Sequence, residues 1–361
     1  MPKIRVRGSG FPSLSPASVF FALCGFALVV WLFRENDFRA VLHTVTMAGG
    51  GLAIVVVTRG VILAAGGLAW RCLLPGFPAT RALVMIGFRT IGEAFNVLLP
   101  VAAVGGDIVR AMLLTSRGVD GAAAAASTMV DLLLQAAAQA LFAAIGIALL
   151  LRVGDSAELA SWAARGLGVA ALALVGFFAV QRFGGARVVD RGLRALARRW
   201  PGAAAGSATH LHESLQAIYA DRPALAAAFL LHELGWLIGA LETWIALRLL
   251  GVPVTVSTAL ILESINQGLR SAAFPVPGAL GVLEGGYIAL GARFGIPPET
   301  ALALSLVKRL PDLVIGLPGL LAWYVLQLQR LLPVRSAATG GRSAATDQWG
   351  QAQPTRGRTL E

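Results

Sequence analysis

Charge, histidine and cysteine are all scarce in this sequence, and each scarcity excludes something. Only 14% of the 361 residues are charged, against roughly 25% for a soluble globular domain. The two cysteines, Cys24 and Cys72, lie in or beside apolar runs and show neither disulfide nor metal spacing. The four histidines form no zinc pattern, which leaves metal catalysis little support. No G-x-x-x-x-G-K-S/T motif occurs, so no ATP drive and no cofactor is implied. What is abundant is apolar: 57% of residues are hydrophobic and the mean hydropathy is +0.73. The chain is therefore expected to be an all-α polytopic membrane protein. Its net charge of +11 sits in loops between apolar runs, where topology and anionic headgroups account for it better than nucleic acid does.

Apolar runs of spanning length cover residues 16–33, 42–74, 119–151, 162–180, 223–250 and 298–330. The first, after Lys3, Arg5 and Arg7, is too long for a signal-peptide core and lacks a cleavage site. Two other stretches, 89–117 and 257–294, are apolar but broken. In the first, Pro100 and the pair Gly105-Gly106 separate Arg89, Glu93 and Asn96 from Asp107 and Arg110. Each limb is shorter than the roughly 20 helical residues that cross a hydrocarbon core. Each stretch is expected to enter the membrane, turn, and leave on the same side. Non-helical backbone at that depth must be buried in protein or line a wet cavity. The fold expected is about six full spans plus two re-entrant helical hairpins.

Lysine and arginine bias places both termini in the cytoplasm. The expected organisation is a cytoplasmic N-terminus (1–15), a first transmembrane half (16–151), an outer loop (152–161), and the first span of the second half (162–181). A basic cytoplasmic loop (182–222), the rest of the second half (223–330) and a disordered tail (331–361) follow. Within the basic loop, Arg187, Arg191, Arg194, Arg198 and Arg199 interleave with Val188, Leu193, Leu196 and Trp200. That pattern fits an amphipathic helix on the membrane surface.

The halves repeat. Glu93-x-x-Asn96 matches Glu263-x-x-Asn266. From Asp107 onward the chain aligns without gaps to Glu284 onward, so that Gly118 meets Gly295 and Asp131 meets Lys308. An odd number of spans per half requires the halves to be inverted. Inverted repeats with broken helices are the architecture of secondary transporters.

Ionisable groups inside a bilayer cost roughly 2.5–3.5 kcal/mol each on insertion scales, so they need partners. Arg89, Glu93 and Asn96 share one helical face, as do Glu263, Asn266 and Arg270. One reading pairs each Glu with an Arg to tie hairpin to bundle; the other brings the two faces together at the pseudo-twofold to line a polar path. Asp107 is read as an N-cap, or its helix start as a phosphate site with Arg110 as a second clamp. Asp131 and Lys308 suggest a direct ion pair across the symmetry axis. Lys308 and Arg309 are the strongest cations for a lipid phosphate, and Glu284 belongs to the balancing carboxylates. Arg59 is expected to partner a carboxylate. His232-Glu233 reads as interfacial rather than a proton relay, and aromatics such as Trp70 suit interface belts and cavity walls.

The stretches GEAFNVLLPVAAVGGDIVRAMLL, FPVPGALGVLEGGYIALG and LVKRLPDLVIGLPGLLAW resemble the lysylphosphatidylglycerol synthase transmembrane family, and within it most the branch associated with hopanoid biosynthesis. The resemblance runs from Val19 to Arg330. It implies a bundle that acts as a lipid flippase in an inner membrane. Members of one arm carry a soluble aminoacyl-transferase domain; residues 331–361 are too few for that fold, so lysyl-lipid synthesis is not expected.

The expected function is flippase-like transport of a hopanoid or phosphate-bearing lipid across the bacterial inner membrane, without enzymatic activity. Rival readings are an integral-membrane lipid-modifying enzyme and a scaffold for lipid-synthesis enzymes. Membrane lipids are the expected partners; a homo-oligomer and lipid-synthesis enzymes are further partners considered, and nucleic acid is not.

Overall fold

The computed structural model describes residues 27, 30–31, 34, 38–74, 81–98, 105–153, 157–183, 208–273 and 276–331, and among them every regular element is a helix. In chain order these are α1 (Phe38–Met47), a 3-10 turn (Gly49–Gly51), α2 (Leu52–Cys72), α3 (Ala82–Leu98), α4 (Gly105–Thr115), α5 (Gly121–Val153), α6 (Ala157–Phe183) and α7 (Ala208–Ala220). They continue with α8 (Arg222–Leu249), α9 (Val256–Ala272), a 3-10 turn (Pro277–Ala279), α10 (Val282–Ala292) and α11 (Pro298–Leu331). The expected first span, the basic amphipathic helix and the tail fall wholly or mostly outside the described residues. One compact unit ends at Trp323; of the second, from Tyr324, only the end of α11 is described.

Local chemistry sets the boundaries. Asp120 starts α5 by accepting the amides of Ala122 and Ala123 at 2.9 and 3.2 Å. Asp221 accepts the Ala224 amide at 3.0 Å, ahead of Pro223 in the first turn of α8, and Thr255 accepts the Thr258 amide ahead of α9. Each cap satisfies donors that have no partner within the helix. Two expectations shift here. The span at 42–74 is broken by Gly49–Gly51, where three successive glycines weaken helix propagation. The outer loop at 152–161 shortens, because α5 runs to Val153 and α6 begins at Ala157.

The repeat reappears as matching elements. α4 and α10 are both 11 residues long and both open in the same register. Each is followed by a glycine at positive φ, Gly118 at 88° and Gly295 at 70°. Two bonds of each turn match: Arg117 and Gly118 donate to Leu114 and Thr115, as Phe294 and Gly295 donate to Gly291 and Ala292. Left-handed backbone there stops one helix and launches the next.

The inversion can be read from contacts. α2 and α8 occupy equivalent places and pack along each other. Gly51 abuts Leu249, Arg59 bonds Glu242, and Gly235 approaches Ile62. Chain numbers rise on one helix as they fall on the other, so equivalent helices are antiparallel. The arms of each broken stretch also double back. Gly92 and Asn96 meet Gly106, while Asn266 meets Leu283 and Gly286, and Glu263 meets Tyr287. Helices of 17 and 11 residues measure about 26 and 17 Å at 1.5 Å per residue. Both fall short of a roughly 30 Å hydrocarbon core, as hairpins of this kind require. Among the described residues, Gly49–Cys72, Gly121–Val153 and Arg222–Leu249 are long and apolar enough to cross it. The protein is a multi-pass all-α membrane protein.

Candidate functional site

Two networks of buried charge flank the crossing of α2 and α8. The first centres on Asp131 of α5, which is fully buried. Its Oδ2 accepts from Arg89 Nη1 at 3.2 Å and Arg110 Nη1 at 2.6 Å, and its Oδ1 accepts from His232 Nε2 at 2.9 Å. Arg110 also donates from Nε to Asp107 at 2.9 Å, and its guanidinium lies 4.7 Å over the Trp70 ring. Arg89 reaches Gln135 at 2.8 Å with its other nitrogen. Two carboxylates and two guanidiniums cancel within one network, which is how a low-dielectric interior holds ions at all.

The second network centres on Lys308 of α11. Its Nζ lies 2.8 Å from Glu263, 3.2 Å from Glu242 and 2.8 Å from Thr243 Oγ1. All three ammonium donors are thereby used. Thr243 donates its hydroxyl hydrogen bond to Glu263 at 2.6 Å, and Gln267 and Tyr287 also donate to that carboxylate at 2.8 and 3.2 Å. Arg59 crosses from α2 to Glu242 at 3.1 Å. Alongside, Arg309 grips Glu284 Oε1 with two nitrogens at 3.0 and 2.7 Å; Ser305 donates to the same atom, and Glu284 Oε2 accepts the Gly281 amide at 2.7 Å.

Several expectations are corrected by this geometry. Asp131 and Lys308 do not pair with each other; each is enclosed by opposite charge of its own. Asp107 is not an N-cap, because it lies inside the first turn of α4 and spends its carboxylate on Arg110. The Gly106 amide at that helix start is taken by Asn96 Oδ1 at 2.8 Å. Asn266, at the matching place, donates to the Leu283 carbonyl at 3.4 Å. Both asparagines thus pin one hairpin arm to the other. Arg89 pairs with Asp131 rather than Glu93. His232 is buried, not interfacial, and Trp70 lies in the core, donating to Ser127 at 3.2 Å. The face of the first hairpin divides: Arg89 joins the network that His232 marks, while Glu93 lies beside the second, which Glu242 marks about 15 Å away along α8 at 1.5 Å per residue.

Less enclosed charges gather at the edge of the second network. Glu93, Arg270, Asp312 and Arg309 are half-buried. Asp312 comes within 4.0 Å of Arg59 and lies in the field of Arg270, Glu93 and Arg309. Arg59 itself feels Glu242, Asp312, Glu263 and Glu93, so the two repeat-related glutamates do share one cation. Among the described residues none forms an ion pair with Glu93 or Arg270.

Sequence reasoning missed Glu242, His232, Thr243 and Tyr287 as members of these networks. Glu242 carried a signal, an acid deep in an apolar span, whose natural partner, Arg59, was already flagged. His232 carried none, because only packing places it against Asp131. No described group of three or more His, Cys, Asp or Glu could hold a metal ion.

Comparison with known protein families gives a match. The family described as "Lysylphosphatidylglycerol synthase TM region" matches residues 17–319. No curated protein and no solved structure matches.

Proposed function

This chain belongs to the lysylphosphatidylglycerol synthase transmembrane family, and from its membrane lipid-related role we propose that it moves an amphiphilic lipid between leaflets. The observation that carries the reading is the antiparallel pair α2 and α8 with a neutralised ion network on either side of the crossing. Each network takes one member from the opposite half: His232 of α8 joins the first, and Arg59 of α2 joins the second. Rocking one half against the other would exchange these two links while the contacts within each half stay intact. That is the arrangement alternating access needs around a fixed crossing.

In this reading Arg110 and Lys308, each paired with two carboxylates, hold the scaffold. The half-buried group of Arg270, Arg309, Asp312 and Glu93 meets the headgroup. A cation without an ion pair beside an incompletely neutralised acid suits a phosphate or a polar hopanoid head, which would enter with modest desolvation. No chemical step on the lipid is required, since Asp131, Glu242, Glu263 and Glu284 are engaged in holding cations or backbone. The proposed setting is a bacterial inner membrane with both termini inside.

The test is reconstitution of the purified full chain in liposomes holding fluorescent candidate lipids, read by leaflet-selective quenching. Lipid should equilibrate between leaflets faster than in protein-free vesicles, and Arg270→Gln should slow it several-fold. Rates equal to protein-free vesicles for every candidate lipid would remove the proposal. A change in lipid mass would instead identify an enzyme.

A further inference from the structure

Glu233 of α8 is half-buried as a residue, yet its carboxyl group stands apart from the others among the described residues. Both of its oxygens are enclosed, and neither has a hydrogen-bond donor. One turn on, the Trp236 indole N–H is also enclosed and without an acceptor, while its ring stacks on Phe142 of α5 at 6.1 Å and 15°. Leu230, Leu234, Leu237 and Leu241 form an exposed stripe along α8. At 100° per residue, Glu233 sits at the border of that stripe, between the lipid-facing side and the contact with α5.

The charged groups nearby are engaged elsewhere. On α8 itself, His232 bonds Asp131 and Glu242 bonds Arg59 and Lys308. On the packed helices, Arg59 of α2 serves Glu242, Asp131 of α5 serves two arginines, and Glu263 of α9 serves Lys308. On α7, His212 contacts Gln216, and neither Glu213 nor His210 bonds Glu233. An ionised carboxylate with no donor and no cation in such a place costs several kcal/mol or more. The protonated form costs far less.

Its height in the molecule is equally particular. In the repeat register Leu52 matches Arg222, so Ala64 and Ala65 match Leu234 and Gly235. The antiparallel contacts of α2 and α8 bring these same positions level with one another. Glu233 therefore lies within about 3 Å of the inversion centre along the helix. Because its oxygens have no accessible surface, the ligand that fits without rearrangement is a proton.

We infer that Glu233 is a proton-binding site at the crossing of the two halves, and that its loading and unloading couples lipid movement to a proton gradient. The proton enters from one aqueous side, neutralises the carboxylate for the state described here, and leaves to the other side after the halves exchange. The coupling rests on the translocation reading; the site does not.

The experiment therefore has two arms, both on the purified full chain. Infrared difference spectra between neutral and alkaline pH should contain a protonated-carboxyl carbonyl band that disappears in Glu233→Gln, an isosteric change that keeps the neutral state. A wild-type protein without the band, or a band that persists in Glu233→Gln, overturns the site. In liposomes a pH difference of one unit should sustain up to roughly a tenfold lipid asymmetry if one proton accompanies each lipid. Glu233→Gln should still equilibrate lipid but sustain no asymmetry. Wild-type lipid that stays evenly distributed under the gradient overturns the coupling with the band intact; lipid that does not move at all overturns the translocation reading, which the infrared arm does not depend on.

Discussion

Asp131 and Lys308 occupy the same place in the two halves and never touch. Each is wrapped in the opposite charge, Asp131 by Arg89, Arg110 and His232, and Lys308 by Glu242 and Glu263. The repeat has kept the position as a hub and inverted its sign. Both hubs sit on the helix that follows a hairpin, and both tie that hairpin to the central pair.

Asp131→Asn is therefore expected to be severely destabilising. It leaves two buried guanidiniums without their shared counter-charge, and breaking a buried pair costs roughly 3–5 kcal/mol. Thermal unfolding of the detergent-purified protein should show a large downward shift. Adding Arg110→Met, which removes one stranded charge, should recover part of the loss.

Glu93 and Glu263 match in the repeat but should behave differently when amidated. Glu263→Gln takes the closest anion from Lys308 and weakens its bonds with Thr243 and Tyr287. It should destabilise by about 3 kcal/mol, near the low end for a buried pair because Glu242 remains. Glu93→Gln removes no ion pair among the described residues, so stability should stay within about 0.5 kcal/mol while lipid movement falls. Equal destabilisation of both variants would return Glu93 to a structural role.

Gly106→Ala tests the hairpin. A Cβ there would run into the Gly92 carbonyl and the Asn96 side chain. The arms must separate, with loss of the Asn96 bond, at a cost of about 1–3 kcal/mol. Gly87→Ala, on α3 with nothing within 4 Å of the new Cβ, should be neutral or slightly stabilising. Melting temperatures of the two variants should order accordingly.

The inversion has its own test. With Cys24 and Cys72 replaced by serine, a pair of cysteines at Gly51 and Leu249 should cross-link readily on oxidation, because these residues abut. A pair at Gly51 and Ala224 should not, since antiparallel packing puts them at opposite ends of the α2–α8 contact. Mobility on denaturing gels, with and without reductant, reads both.

Much of this was legible without coordinates, for reasons that belong to particular residues. Gly105-Gly106 before Asp107, and Pro275 with Gly278 and Gly281 before Glu284, mark helix breaks because proline lacks a donor and glycine is flexible. Arg59 in an apolar run had to have a carboxylate partner, and Glu242 is that partner. The expected Asp131–Lys308 pair failed because equivalence in a repeat fixes position within each half, not proximity between halves. The helix Ala208–Ala220 was hidden in a loop; its Leu211 and Leu215 are buried beside Ala69, Ala122 and Ala126, a fit that polar composition around them obscured.

The order of residues alone determined the membrane setting, the all-helical build, the broken hairpins and the twofold repeat. Each follows from hydropathy, helix-breaking residues and spacing, which are properties of the chain read locally. Only the folded molecule decided which charge answers which, that His232 belongs with Asp131, and that Glu233 is left without a donor. Those outcomes depend on side chains far apart in the chain arriving within about 3 Å of one another, and no local pattern specifies that.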